Sequence, residues 1–226
     1  MNLPKFKDKK LLEQAFIHRS FLNETKEKLS SNERLEFLGD SVISFVVSKY
    51  LYHKYPNYDE GILTNLRSLL VNTKSLGETA RELGLGDYLK LSKGEEESKG
   101  RQNQSLLADC FEAFVGALFL DQGIQEVTEF LETVLFPKAE LFVQKRAFKD
   151  PKSLLQELVQ SRKKGSPLYK VVSEAGPAHA RMFKVAAFVD ETFVGEGKGK
   201  SKREAEESAA EQALENLRKN LEKKSK

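Results

Sequence analysis

Two groups of acidic residues in this chain are spaced for chemistry. In Asn32-Glu33-Arg34-Leu35-Glu36-Phe37-Leu38-Gly39-Asp40-Ser41 the carboxylates recur at helical intervals. At 100° per residue Glu33, Glu36 and Asp40 fall within a narrow arc of one face, with Leu35, Leu38, Val42, Phe45 and Val46 opposite. Further on, Asp109 and Glu112 stand at i, i+3 in the most apolar segment of the chain, on one face with Ser105 and Gly116. Carboxylates stacked on a helix flank repel one another unless a cation sits among them.

If these two helices pack with their acidic faces adjacent, four or five carboxylates converge at the edge of a core. Such a cluster must hold cations or be protonated. Its donors are all oxygen and no Glu-x-x-His step is present, which disfavours a di-iron bundle and favours Mg²⁺, with Mn²⁺ as a substitute. Taken singly, each acidic face could be only the solvated side of an amphipathic helix. That reading weakens where Asp109 and Glu112 interrupt Leu106, Leu107, Cys110, Phe111, Phe114 and Val115.

The elements that must position these acids are helical. Apolar periodicity predicts helices over Lys9–Ser20, from Asn32 through Leu51, from Asp59-Glu60 through Leu70, over Thr73–Leu83, over Ser105–Leu120 and over Ile124–Gln144. Gly94–Gln104 reads as a mobile polar loop. After Arg146–Asp150 the pattern changes. Pro151–Val159 opens a short helix, and Leu168–Glu174, Met182–Val189 and Thr192–Gly197 read as strands, with Asp190-Glu191 as a hairpin turn. Ser201-Lys202-Arg203-Glu204 reads as a capping box on an Ala-rich helix with Ala205, Ala209, Ala213, Leu214 and Leu217 buried. The expected organisation is an all-α domain, 1–147, followed by a small α+β (α-β-β-β-α) domain, 148–226.

With 226 residues, 39% of them hydrophobic and 31% charged, the chain suits one large or two modest globular domains. No apolar run is long enough to span a bilayer, the start lacks a signal-peptide core, and a lone Cys110 allows no internal disulfide. A soluble, cytoplasmic protein without a membrane partner is the expectation. Residues 148–226 hold 17 Lys/Arg against 12 Asp/Glu, whereas residues 1–147 hold 20 against 22. A mildly acidic front is joined to a basic tail suited to a polyanion.

No nucleophile system competes. His18, His53 and His179 pair with neither Cys110 nor a serine at a recognisable spacing. Gly195-x-Gly197-x-Gly199 lacks the strand–loop–helix setting of a phosphate loop and instead leads the chain to the helix start at Ser201. There Lys200, Lys202 and Arg203 add charge to a helix N-terminus, which makes a phosphate anchor.

The block Asn32–Ser41 resembles the signature of the bacterial ribonuclease III family. Leu107-Ala108-Asp109-Cys110-Phe111-Glu112-Ala113 and Phe119-Leu120-Asp121-Gln122-Gly123 resemble its second acidic block. The tail, from Asp150-Pro151-Lys152-Ser153-Leu154-Leu155-Gln156-Glu157 to Lys200-Ser201-Lys202-Arg203-Glu204-Ala205, resembles a double-stranded-RNA-binding domain. The resemblance covers nearly the whole chain. It implies an endoribonuclease that hydrolyses double-stranded RNA with divalent metal, leaving 5′-phosphate and 3′-hydroxyl ends with a short 3′ overhang. Ribosomal RNA precursors and other structured transcripts are the implied substrates.

Carried over by residue, the resemblance makes Glu36, Asp109 and Glu112 metal ligands and Asp40 and Glu112 catalytic, with Asp40 orienting the attacking water. Glu33 and Glu60 become accessory acids. Gln156 and Glu157 would face one minor groove of the duplex and His179 a second, with Lys200, Lys202 and Arg203 on phosphates between them; Arg203 stands where many relatives carry lysine. A-form RNA suits such shape recognition, because its major groove is too deep and narrow to read. A staggered cut needs two sites on one duplex, hence a homodimer. Phe37, beside the acids and away from the apolar face, takes the place of the aromatic that plugs the partner subunit. The rival expectation is a non-catalytic RNA-binding dimer.

Overall fold

The computed structural model describes residues 3–146, 148, 150–177 and 180–222, with side-chain detail as far as residue 217. The chain divides into two compact units, Met1–Phe148 and Lys149–Lys226, within the stretch where the sequence changes character.

The first unit is helical. Its elements are α1 (Lys9–Ala15), α2 (Glu33–Lys54), α3 (Glu60–Val71), α4 (Thr73–Glu82), α5 (Lys93–Glu97), α6 (Gln104–Gln122), α7 (Ile124–Val134) and α8 (Phe136–Gln144). Helix α6 is the axis of the core. Its start is fixed by the Asn103 side chain, which accepts hydrogen bonds from the backbone N–H groups of Ser105 and Leu106. Its end is fixed by Gly123 at φ 84°, a conformation other residues rarely adopt. Between them Leu107, Cys110, Phe111, Phe114, Val115 and Leu118 are fully enclosed.

Helix α2 crosses α6 at backbone contact. A Cβ on Gly39 would overlap the Glu112 carbonyl oxygen, and one on Gly116 would overlap the Leu35 carbonyl oxygen. Glycine on both helices is therefore what lets the acid-bearing turns meet. Ile43, Val46, Val47 and Leu51 carry the buried face of α2 onward into the core.

Several expectations change. Phe45 is 60% exposed, not part of the core face of α2, and lies on an outward stripe with Phe37 and Tyr52. The first helix stops at Ala15, and residues 19–23 form a 3-10 turn. The single helix expected over Ile124–Gln144 is two, because Pro137 supplies no N–H and disfavours helix at the residue before it. Residues 94–104 are not a loose loop: Ser92 caps α5, and the Arg101 guanidinium binds the carbonyls of Gly86 and Asp87 and pairs with Glu96.

The second unit comprises α9 (Pro151–Ser161), strands β1 (Leu168–Ala175), β2 (Met182–Val189) and β3 (Thr192–Gly199), and α10 (Lys202–Glu222). The sheet is antiparallel in the order β1-β2-β3. Asp190 and Glu191 both have positive φ, 47° and 63°, as the tight two-residue hairpin turn requires. Leu155 and Val159 of α9, Val185, Ala187 and Val189 of β2, and Ala205, Ala209 and Ala213 of α10 form the core.

The alternate glycines have a packing role. β3 runs on to Gly199, and Gly195, Gly197 and Gly199 all face the alanine stripe of α10. A Cβ on any of them would overlap the backbone around Ala213, Ala209 or Ala205. The capping box is present in altered form. Ser201 Oγ accepts from the Glu204 N–H at 3.1 Å, while Glu204 Oε2 accepts from the N–H of Lys200, not that of Ser201.

Candidate metal centre and nucleic-acid interface

The α2–α6 crossing determines the geometry of the acids. Glu36, Asp109 and Glu112 each place a carboxylate oxygen within 4.8 Å of the others. All three are half-buried, and Asp40 lies exposed one turn beyond Glu36. Among the described residues no Lys or Arg forms an ion pair with any of the four.

That uncompensated charge shows in their proton affinity. Burial, then the fields of Asp40, Asp109 and Glu36, push Glu112 up to about 8. Burial and the neighbouring acids raise Glu36, and burial raises Asp109 against a lowering contribution from His18. Three all-oxygen donors converging within one ion's reach, half out of water and without a cationic partner, fit a hard divalent cation.

This has a measurable consequence without any ligand. An exposed Glu112 in the unfolded chain ionises near 4.5, and in the fold at about 8. Between those values the folded state binds the extra proton, so stability falls as pH rises through the window and levels off above it. The melting temperature of EDTA-treated protein should therefore decline from about pH 5 to about pH 8, and Mg²⁺ should reverse the decline by binding the ionised form. A flat profile would remove Glu112 as the titrating group.

The remaining predicted acids are placed differently. Glu33 lines the same side of α2 but is engaged by the Ser31 hydroxyl at 2.8 Å and by Arg19 at 3.5 Å. Glu60 is exposed at the start of α3, where its carboxylate accepts from Thr64 Oγ1. Neither belongs to the three-carboxylate cluster. Phe37, next to Glu36 on α2, is 80% exposed.

His18, which no sequence pattern marks, also belongs to this region. It lines a cleft of about 300 Å³ together with Arg19, Asn32, Glu33, Glu36 and Asp109. Nothing in its spacing signals this, since a 3-10 turn and a bridge between Ile17 and Lys90 bring it there.

In the second unit Gln156 and Glu157 lie on the exposed face of α9, opposite buried Leu155 and Val159. Lys200, Lys202 and Arg203 are exposed together at the start of α10. Lys202 lies 3.7 Å from Glu174 and Arg203 binds Glu207 at 2.8 Å. Both are exposed pairs of small net value. His179 lies outside the described residues.

Comparison with known proteins decides the family. A ribonuclease-III-like family model matches residues 8–139. The chain belongs to the ribonuclease III family. A double-stranded RNA binding motif model matches residues 151–217. The chain is 49% identical over 201 residues to Ribonuclease 3 of Streptococcus gordonii, covering 88% of this chain and 85% of that one. It is 48% identical over 193 residues to Ribonuclease 3 of Borreliella burgdorferi, covering 85% and 79%. The nuclease domain of ribonuclease III from Campylobacter jejuni superposes with a TM-score of 0.54 at 42% identity, over 57% of this chain and 87% of that one. The helical first unit and the α-β-β-β-α second unit are thus a ribonuclease III nuclease fold and a double-stranded-RNA-binding fold. Among the described residues no helix is long and apolar enough to cross a membrane.

Proposed function

We infer that this chain is an endoribonuclease that hydrolyses double-stranded RNA with the help of divalent metal. The observation that carries the reading is the convergence of Glu36, Asp109 and Glu112 at a glycine-lined helix crossing, where no described Lys or Arg forms an ion pair with them. These three would hold Mg²⁺ or Mn²⁺, which when bound supplies Lewis-acid polarisation of the phosphodiester and a more acidic attacking water. Asp40, exposed one turn beyond Glu36, would accept a hydrogen bond from a water and orient it for in-line attack on the phosphodiester. Glu112 shares this catalytic role. Glu33 and Glu60 stay accessory, tuning the field along the scissile strand. The products are 5′-phosphate and 3′-hydroxyl ends with a short 3′ overhang, and ribosomal RNA precursors and other structured cytoplasmic transcripts are the substrates.

The domains divide the labour at residues 147–148. The tail grips the duplex, with Gln156, Glu157 and His179 toward minor grooves and Lys200, Lys202 and Arg203 on phosphates between them, reading shape and not base sequence. The front unit dimerises to place two sites on one duplex; the Campylobacter relative has a region involved in dimer formation of its nuclease domain. Phe37, Phe45 and Tyr52 form an exposed apolar stripe on α2, which argues for a covered face. Antiparallel pairing of two α2 helices about a two-fold near Phe45 would bring Phe37 of each protomer toward the other's 210 Å³ hollow, lined by Tyr52, His53, Tyr55, Pro56, Tyr58 and Leu63.

Phe37→Asp should yield a monomer in analytical ultracentrifugation and replace paired cuts with single-strand nicks; a dimer that still cuts both strands would remove Phe37 from the interface. The function itself is tested by incubating a long, fully paired RNA with Mg²⁺ or EDTA. Short duplexes with 3′ overhangs are expected in Mg²⁺ alone, whereas a mobility shift without cleavage would mean a binding protein.

A further inference from the structure

His18 is half-buried and held by hydrogen bonds to half-buried side chains and to the backbone of a neighbouring loop. Its Nδ1 accepts the Ser20 N–H at 3.3 Å and lies 2.8 Å from Ser20 Oγ. Ser20 Oγ itself accepts the N–H of Ser92 at 3.0 Å, so its own hydrogen is left for the imidazole. The loop is fastened on both sides of the ring, by the His18 N–H to the Lys90 carbonyl at 3.1 Å and the Lys90 N–H to the Phe16 carbonyl at 2.8 Å. With Nδ1 committed as an acceptor, the neutral ring carries its proton on Nε2.

Nε2 has no hydrogen-bond partner among the described residues, and the ring lines the cleft that holds Glu36 and Asp109. We propose that His18 is a positioning residue that uses its Nε2–H to orient the Asp109 carboxylate for divalent-metal binding. The chain Ser92–Ser20–His18 would then fix a metal ligand from outside the ligand set, as hydrogen-bonded partners of ligating carboxylates do. The lowering effect of His18 on Asp109, against burial that raises it, accords with this proximity.

The alternative is that His18 only caps the 3-10 turn at Arg19–Asn23. His18→Asn separates the two roles. Asparagine accepts a backbone N–H two residues on as readily as this histidine does, but its short side chain does not carry a donor to the position of Nε2. The proposal rests on the metal-site reading above, and calorimetric titration with Mn²⁺ keeps the two apart. Wild-type protein that binds no Mn²⁺ would refute the metal site itself. With wild-type binding in hand, His18→Asn should keep its melting temperature and lose about 10–100-fold in Mn²⁺ affinity, the range for a partner that orients a ligand. Cleavage should need correspondingly more metal, while RNA affinity in EDTA stays unchanged. Unaltered Mn²⁺ affinity in a folded His18→Asn protein would overturn the proposal. Should that variant melt early, Ser20→Ala decides: freeing one side of the ring should weaken Mn²⁺ binding several-fold, and wild-type affinity there would overturn it equally.

Discussion

Glu112→Gln should abolish metal-dependent cleavage while leaving the affinity for duplex RNA unchanged. Glutamine keeps the volume and one oxygen of Glu112 but removes the charge that completes the three-carboxylate cluster. Metal activation lowers the barrier by several kcal/mol, so the expected loss is at least about 10³-fold in rate. The same substitution should flatten the decline in stability of the EDTA-treated protein between about pH 5 and 8, because the group that ionises at about 8 is gone. Two readouts, one kinetic and one thermal, thus report on one side chain. Retained cleavage in this variant would take Glu112 out of the centre.

The second large effect belongs to a residue with no side chain. In Gly39→Ala the new methyl group would occupy the position of the Glu112 carbonyl oxygen, so α2 and α6 must move apart. Overpacking of this kind costs about 1–3 kcal/mol, and more where backbone is the obstacle. The melting temperature should fall by several degrees at about 2–4 °C per kcal/mol. Displacement of Glu36 from Asp109 and Glu112 by about 1 Å should cost on the order of 10²-fold in cleavage. Wild-type stability and rate in this variant would contradict the account of how the acids are brought together.

Much of the site was legible because helical periodicity converts spacing directly into a shared face. Glu36 and Asp40 on one helix and Asp109 and Glu112 on the other could be placed together once both helices were expected to pack. Gly39 and Gly116 supplied the means. The limits of legibility are equally physical. Phe45 falls inward by the periodic rule, which does not see where the core ends, whereas Ile43, Val46 and Val47 already complete the buried face of α2 and leave Phe45 60% exposed.

Residues 94–104 read as loose because Glu95, Glu96, Glu97 and Gly100 are polar or small. The order there comes from Arg101, whose guanidinium reaches the carbonyls of Gly86 and Asp87 across a long stretch of chain. The division of α7 from α8 was readable in Pro137 and was overridden by amphipathic continuity on both sides. His18 was beyond reach, since its place beside Asp109 depends on a bridge between Ile17 and Lys90 that no local pattern encodes. In the second unit the alternating glycines of β3 were noticed, but their purpose required the alanine face of α10 beside them.

A glycine-mediated helix crossing that assembles partly protonated carboxylates into a divalent-metal site has to bind such a metal and release protons. Calorimetric titration of the EDTA-treated, dialysed protein with Mn²⁺, repeated at about pH 7 in buffers of differing ionisation enthalpy, tests it most directly. Saturable binding accompanied by proton release is expected, because a Glu112 that ionises at about 8 is largely protonated at that pH and must lose its proton to the buffer as the metal binds. Absence of saturable binding, or binding with no proton released, would contradict it.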